Sequence, residues 1–278
     1  IISRFFLHRV LRANGAVNNP NTPAVILFTS GSEGVPKGVV LSHRNIVANV
    51  HQILAHVPEA LRLDDILFRP LPTFHCFGLT AGALLPLLGG MRSVLHPSPL
   101  LTKLFPKRVQ ETCATFLFAT DTFLNQYIRA CTGDELGNLR YAVCGAERVR
   151  DETRQLVRRR FNVELLEGYG ATEAAPVISV NQPNHNHHGT VGRILPGMEV
   201  MFEPVPGIEK GGRMLVRGAN VMQGYLSPSK PGELQLLPSG WHDTGDIVVQ
   251  DDEGYLTIKG RLKRFAKIGG EMVSLAVA

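Results

Sequence analysis

Ten consecutive residues concentrate chemistry: Thr29-Ser30-Gly31-Ser32-Glu33-Gly34-Val35-Pro36-Lys37-Gly38, entered from the apolar run Ala24-Val25-Ile26-Leu27-Phe28. Hydroxyls and glycines let the backbone turn N–H groups toward an anion at little steric cost, and Lys37 adds a long-armed positive charge. Phosphate is the ligand such a loop suits. A Walker A loop is excluded, because Pro36 stands where glycine must precede the lysine. Val39-Val40-Leu41 reads as a second short strand, where a Walker loop would run straight into a helix. Taken alone, the stretch also fits a mobile surface turn between two strands.

A second polar cluster, Glu167-Gly168-Tyr169-Gly170-Ala171-Thr172-Glu173, follows directly on the apolar stretch from Val163. Two more come later: Trp241-His242-Asp243-Thr244-Gly245-Asp246 and Gly260-Arg261-Leu262-Lys263-Arg264. The elements around them must bring these four stretches together. Ser42 caps a predicted helix with apolar positions Ile46, Val50, Ile53 and Leu54, leaving His43, His51 and His56 toward solvent. An apolar helix to Leu88 and a short strand from Ser93 to His96 follow. Strands at Thr115–Ala119, Leu139–Cys144 and Val163–Glu167 then alternate with helices at Asp121–Cys131 and Val149–Phe161. That alternation predicts βαβ units and a largely parallel sheet, with ligands at the carboxyl ends of its strands. From Gly189 the spacing changes to short strands with Gly/Pro/Asp turns, which predicts a small β-barrel or sheet appended to the α/β body. Asp251-Asp252-Glu253-Gly254 marks a hairpin tip. At the start of the chain, residues 3–12 pattern as a short amphipathic helix.

The 278 residues allow about two domains with a substantial core, and 44% hydrophobic content with 28 Gly and 18 Pro fits a compact α/β protein with many turns. A formal charge of +5 suits a polyanionic small ligand or an acidic partner and is too small and scattered for nucleic acid. Arg154, Arg158, Arg159 and Arg160 read as a solvated helix face. Cys76, Cys113, Cys131 and Cys144 lie far apart without a C-x-x-C pair and read as unpaired core thiols in a reducing compartment. His185, His187 and His188 sit in an Asn/Pro loop without Cys or carboxylate neighbours, a solvated cluster rather than a metal knuckle. The longest apolar run, Leu79 to Met91, contains Gly and Pro and falls short of the ~20 residues of a membrane helix.

In their order and spacing, the four stretches resemble the adenylate-forming superfamily of acyl-CoA synthetases, luciferases and peptide-synthetase adenylation domains. Residues 167–183, 189–198 and 263–275 further resemble the synthetase half of the bacterial bifunctional acyl-[acyl-carrier-protein] synthetase/2-acylglycerophosphoethanolamine acyltransferases. The resemblance implies an α/β fold: residues 1–188 as the α/β part of an AMP-binding large domain, 189–259 as its β-rich subdomain, and 260–278 as hinge and start of a C-terminal domain. It also implies truncation at both ends, consistent with a first residue, Ile1, that is not methionine.

Carried onto this chain, the resemblance implies ATP and Mg²⁺ as cofactors. Thr29, Ser30, Gly31, Ser32, Gly34 and Lys37 would hold the β- and γ-phosphates. Thr172 would contact phosphate and Glu173 the metal, a hard carboxylate oxygen for a hard cation. Asp246 would accept from both ribose hydroxyls, while Asp243 could serve only to brace the turn. Tyr169, between Gly168 and Gly170, would stack on adenine; Gly145, Ala146 and Glu147 would line the nucleotide pocket, and Arg261 would reach ribose or phosphate. His75 falls at the family's acyl-pocket position, although a lone His reads equally as a satisfied core residue. Phe74, Phe77 and Leu79 read singly as core, with Gly78 leaving room for an alkyl chain. Thr172, Glu173, Lys37 and His75 are thus the catalytic candidates, Lys263 aligns with the hinge, and no side-chain nucleophile is required.

The implied reaction is ATP-dependent activation of a fatty acid as acyl-AMP, then transfer to the thiol of acyl carrier protein, or to CoA in the alternative reading of a long-chain acyl-CoA synthetase. The family's C-terminal lysine would lie beyond Ala278, so the chain alone is expected to adenylate poorly. An inactive nucleotide-binding remnant or scaffold is the reading from another class. The expected place is the cytoplasm; the resembled enzymes act at the inner face of the bacterial inner membrane, and peripheral membrane association would run through the missing domains.

Overall fold

The computed structural model describes residues 19–29, 36–268 and 271–274, with side chains as far as Lys263. Ser30, Gly31, Ser32 and Gly34, and the predicted helix over 3–12, lie outside the described residues. The chain opens with β1 (Pro23–Thr29) and β2 (Lys37–Ser42), then α1 (His43–His56) and β3 (Ile66–Arg69). A segment with π-type hydrogen bonding, Gly78–Leu84, leads into α2 (Leu85–Gly89). The α/β stretch continues through β4 (Arg92–Leu95), α3 (Phe105–Glu111), β5 (Phe116–Ala119), α4 (Asp121–Ala130), β6 (Tyr141–Cys144), α5 (Asp151–Phe161) and β7 (Glu164–Gly170). Then come β8 (Val177–Val180), β9 (Arg193–Ile194), β10 (Met198–Glu203), β11 (Gly212–Gly218), β12 (Gly224–Ser227), β13 (Lys230–Leu236), β14 (His242–Gln250), β15 (Leu256–Arg261), β16 (Phe265–Ile268) and β17 (Glu271–Ser274).

Seven strands form the main sheet in the order β4-β3-β5-β6-β7-β8-β9. Pairing is parallel from β4 through β7 and antiparallel from β7 through β9. Phe116-Leu117-Phe118-Ala119 is buried throughout, as a strand covered on both faces must be. The period of two sends Leu117 and Ala119 into a core with Leu124, Tyr127 and Ile128 of α4 and Val157 and Phe161 of α5. Phe116 and Phe118 point the other way, into a core with Val50 and Ile53 of α1 and with Ala81 and Leu85. This second face is the one the site uses.

The later, β-rich part divides between two sheets. Strands β10-β11-β14-β15 form an antiparallel sheet of their own, whereas β12 and β13 complete a sheet with β1 and β2. Helix α1 is tied to both parts by buried amides. Ser42 caps it, its hydroxyl accepting from Asn45 N–H while Asn45 Oδ1 accepts from Ser42 N–H at 2.8 Å. Asn45 Nδ2 then donates to the carbonyls of Ala219 and Val221, and Asn49 exchanges two bonds with the backbone of Val177.

Several side chains depart from what local pattern implies. His56 is buried, its Nε2 3.0 Å from the Val180 carbonyl, because the end of α1 packs onto β8. Arg154 is buried too and pairs with Glu167 Oε1, and Arg160 donates to the carbonyls of Ile128 and Cys131. Of the predicted solvated arginine face, Arg158, Arg159 and Arg160 are exposed, Arg158 also donating to the Asn162 carbonyl, and Arg154 alone is buried. Cys113 is exposed, whereas Cys76, Cys131 and Cys144 are buried; all four are free thiols. The apolar helix is buried only in part, with Leu87 and Leu88 on the surface. Gly78 makes no room for a ligand: a Cβ there would lie 2.1 Å from the Pro72 carbonyl oxygen, so the backbones touch. Phe74 is 82% exposed and belongs to no core. Among the described residues no helix is long and apolar enough to cross a membrane.

At the amino ends of the parallel strands, Arg140 Nη2 donates to both Asp65 oxygens, at 2.8 and 2.7 Å, and to the Ala60 carbonyl at 2.7 Å. Thr115 Oγ1 adds a bond to Asp65 at 2.6 Å. Burial opposes ionisation of Asp65, but Arg140, Thr115 and the Arg62 N–H outweigh it and hold the carboxyl below its ordinary 3.8. Replacing Asp65 by Ala leaves this guanidinium without its counter-charge, so Asp65→Ala is expected to lower stability by about 3 kcal/mol in urea unfolding at neutral pH. A group with a depressed folded-state value stabilises above its unfolded value and ceases to do so as pH falls through the folded one. The wild-type advantage should therefore be complete above pH 3.8 and shrink on acidification below it.

Candidate active site

The carboxyl ends of β6 and β7, the facing sheets and the far end of α1 enclose one cleft of about 960 Å³. Its polar mouth begins where β1 and β2 meet: Thr29 and Lys37 are register partners at the ends of the two strands, and both face the cleft. The glycine-rich loop joins these two ends.

Beyond β7, Gly170 passes so close to β8 that a Cβ would lie 2.2 Å from the Pro176 carbonyl oxygen. Only glycine permits this approach, which turns Thr172 and Glu173 into the cleft on a tight helical turn, Thr172–Ala174. The Glu173 backbone is anchored by the Met222 N–H at 2.8 Å, and its Oε1 accepts from the Tyr225 hydroxyl at 2.7 Å. Lys37 Nζ stands 5.5 Å from the centroid of the same Tyr225 ring. Tyr225 therefore couples the loop lysine to the candidate metal carboxylate. The motifs give no sign of it, since a tyrosine in the strand Gly224–Ser227 has no local reason to be functional.

Tyr169 lines the cleft, and Asp246, only 4% exposed and outside the lining itself, pairs with it. The Tyr169 hydroxyl donates to Asp246 Oδ2 at 2.5 Å, and Arg261 Nε lies 3.2 Å from Oδ1. Burial pushes Asp246 up from the ordinary carboxylate range, against the lowering effect of Tyr169 and Arg261. Each oxygen keeps capacity for a second acceptor bond. Asp243 does brace its turn, accepting from Gly245 N–H at 2.9 Å, and it also pairs with Arg213 at 3.4 Å. His242, to which the motif reading assigns no role, lines the cleft among Glu173, Asp243 and Asp246; burial lowers its pKa despite these carboxylates and favours the neutral imidazole.

Gly145 and Ala146 line the cleft after β6, Ala146 with a left-handed φ of 67°, rare for a residue with a Cβ. Glu147 does not. Its carboxylate turns to the first turn of α4 and accepts from the backbone N–H and hydroxyl of Thr122, satisfying a donor the helix leaves open. His75 is exposed at the mouth, with Nδ1 accepting from Phe77 N–H, and so is no core histidine. Arg261 and Lys263 reach the cleft from its other side. Cys76 and Cys144 also touch it, but burial pushes the Cys76 thiol up to about 12 and raises that of Cys144 as well, so neither is a ready nucleophile.

Away from these groups the cleft becomes apolar. Val57, Ala60 and Leu61 line it from the end of α1 and the turn after it, with Ala81 and Leu85 opposite. Along the sheet, Phe77, Phe118, Phe116 and Tyr141 form a ladder with centroid separations of 5.6, 5.4 and 5.7 Å. The lowest rung, Tyr141, rests on the Arg140 guanidinium, 5.0 Å from its centroid.

One carboxylate at a phosphate site fits Mg²⁺, which is commonly held by one or two carboxylates together with phosphate oxygens and water. Glu173 is that carboxylate, and among the described residues no three His, Cys, Asp or Glu side chains gather to hold a metal on their own. His185, His187 and His188 are exposed, His187 stacked on Tyr255 at 3.8 Å.

Known proteins resemble this chain in sequence and fold. A profile of the family described as AMP-binding enzyme matches residues 9–226. The chain is 32% identical over 265 residues to the medium-chain fatty-acid–CoA ligase of Escherichia coli K12, covering 90% of this chain and 45% of that one. It is 31% identical over 265 residues to the long-chain-fatty-acid–CoA ligase of Escherichia coli O157:H7, with 90% and 46% covered. Among solved structures, ATP-bound MatB from Rhodopseudomonas palustris superposes with a TM-score of 0.78 at 26% identity, over 92% of this chain and 52% of that one. The chain thus spans about half the length of the relatives it matches. Fold and sequence agree: the chain belongs to the AMP-binding enzyme family, the adenylate-forming superfamily.

Proposed function

We propose that the protein activates a fatty acid with ATP as acyl-AMP and transfers the acyl group to the thiol of CoA. The observation that carries this reading is the continuity of the cleft, which runs from Thr29, Lys37, Thr172 and Glu173 to the channel between α1 and the aromatic ladder. A nucleotide alone would not call for such an apolar end. The fatty-acid–CoA ligases among the relatives support CoA as acceptor over acyl carrier protein. ATP and CoA as substrates favour the cytoplasm.

In the first step a carboxylate oxygen forms a bond to the α-phosphorus and the bond to the bridging oxygen breaks, pyrophosphate leaving with the electron pair. In the second, the thiolate sulfur attacks the acyl carbon and AMP leaves. Lys37 and Thr29 bind the outer phosphates, and Thr172 contacts the transferred phosphate. Tyr169 and Asp246 orient the nucleoside, while Phe118 and Phe116 keep water from the alkyl chain. Glu173 would hold Mg²⁺, which supplies charge neutralisation to the phosphates when bound. Tyr225 fixes the Glu173 carboxylate. Cys76 and Cys144, kept as thiols, take no covalent part.

Acyl-sulfamoyl-adenosines, stable mimics of acyl-AMP, test the acyl end by calorimetry. Affinity should rise from acetyl to dodecanoyl by well over tenfold, since each methylene buried from water contributes ~0.8 kcal/mol. Equal affinity across the series would remove the fatty acid from the reading. Glu173→Gln should abolish the Mg²⁺-dependent gain in ATP affinity while leaving AMP affinity within about twofold, because one neutral amide cannot replace a carboxylate toward a hard cation; an unchanged Mg²⁺ response would reassign the metal site. With the full-length enzyme, thioester formation should be faster with CoA than with holo-acyl carrier protein, and the reverse order would establish the carrier-protein enzyme instead.

A further inference from the structure

The apolar channel ends close to the surface. Helix α1 separates it from a second, external groove of about 270 Å³. Ile53, Val57 and Ala60 line the channel, whereas Leu54 and Pro58 line the groove, joined there by Arg62, Leu63, Gly89 and Met91. The helix itself stops at His56, and the turn after it carries Val57, Pro58 and Ala60. Leu61 lines both cavities.

The other walls at this end are fixed. Phe116 is 2% exposed and packed against Phe118 and Tyr141. The backbone beside Leu61 is pinned through the Ala60 carbonyl by Arg140, itself held by Asp65. The Leu61 side chain is only half-buried, with space on either side. At this end Phe116 and Phe118 line one part of the channel and Leu61, with Val57 and Ala60, another.

We propose that Leu61 is the specificity-determining stop of the acyl channel, and that chains displacing it run their methyl end into the groove of Leu54, Pro58 and Met91. The occupant of that groove is thus the far end of the substrate, an assignment that rests on the acyl reading of the cleft. Leu61 is the residue the two linings share, with aliphatic side chains on both sides of it and Arg62 at the groove, which is the arrangement a chain-length stop needs. The Arg140–Asp65 pair serves as its foundation and sets where the stop stands.

The test is the affinity of the protein and of its Leu61→Ala, Leu61→Trp and Phe116→Leu variants for acyl-sulfamoyl-adenosines from hexanoyl to octadecanoyl. In the unmodified protein affinity should climb about fourfold per methylene and then level off where the channel is full. Leu61→Ala should move that limit longer by about two carbons or more and Leu61→Trp shorter by a similar amount, each carbon being one buried methylene. AMP affinity, read at the distant mouth, should stay within about twofold in every variant, which also reports that each is folded. A limit that stays in place in both Leu61 variants while the chain-length gain persists overturns the stop and leaves the acyl reading standing. A limit that moves only in Phe116→Leu assigns the stop to the sheet and likewise overturns it. If affinity ignores chain length in every protein, the acyl reading fails and the stop with it.

Discussion

The site depends on the pairing of β2 with β12, two strands that lie far apart in sequence. Their register sets Val39 against Tyr225 and Val40 against Gly224. A slip of β12 by one residue would turn Tyr225 to the other face of the sheet, away from Glu173 and from Lys37 on β2, because side chains alternate along a strand. Gly224 at the start of β12 fits where a Cβ would lie 2.2 Å from the Gln235 carbonyl oxygen, so close backbone approach fixes that end of the strand. The buried amide of Asn45 holds the loop before β12 onto α1, and α1 follows directly from β2. Backbone pairing thus sets where lysine and tyrosine stand, and the Tyr225 hydroxyl then holds the carboxylate.

Beneath the cleft, ion pairs act as supports. Arg140 and Asp65 close the amino ends of the strands and carry the turn that ends the apolar channel. Arg154 of α5 pairs with Glu167 of β7, where burial raises Glu167 and the charge of Arg154 opposes the rise. Neither pair lines the cleft. A buried pair contributes little net stability against an apolar replacement, yet losing one partner is costly, so such pairs tie the geometry of the site to the integrity of the fold.

The cleft uses its two ends differently. At the mouth, glycines and a left-handed Ala146 bring backbone close to where a nucleotide would lie. At the far end, large rings in edge and tilted contacts give a smooth, rigid wall. Tyr169 spans the two characters, its ring on the cleft and its hydroxyl on Asp246.

The sequence by itself determined the alternating α/β body, the capped helix after Ser42, the antiparallel strands after Gly189 and the placement of Thr172 and Glu173 just past a central strand. Each of these follows from period, capping or glycine content within a short window, and four ordered motifs were enough to place the family. Only the tertiary structure decided which side chains meet. It turned Glu147 toward Thr122, buried His56 and Arg154, brought Tyr225 and His242 to the carboxylates, explained Gly78 by the Pro72 carbonyl and left Leu61 as a wall between two cavities. Those outcomes depend on strand register and on packing between distant segments, for which a local pattern of residue types holds no information.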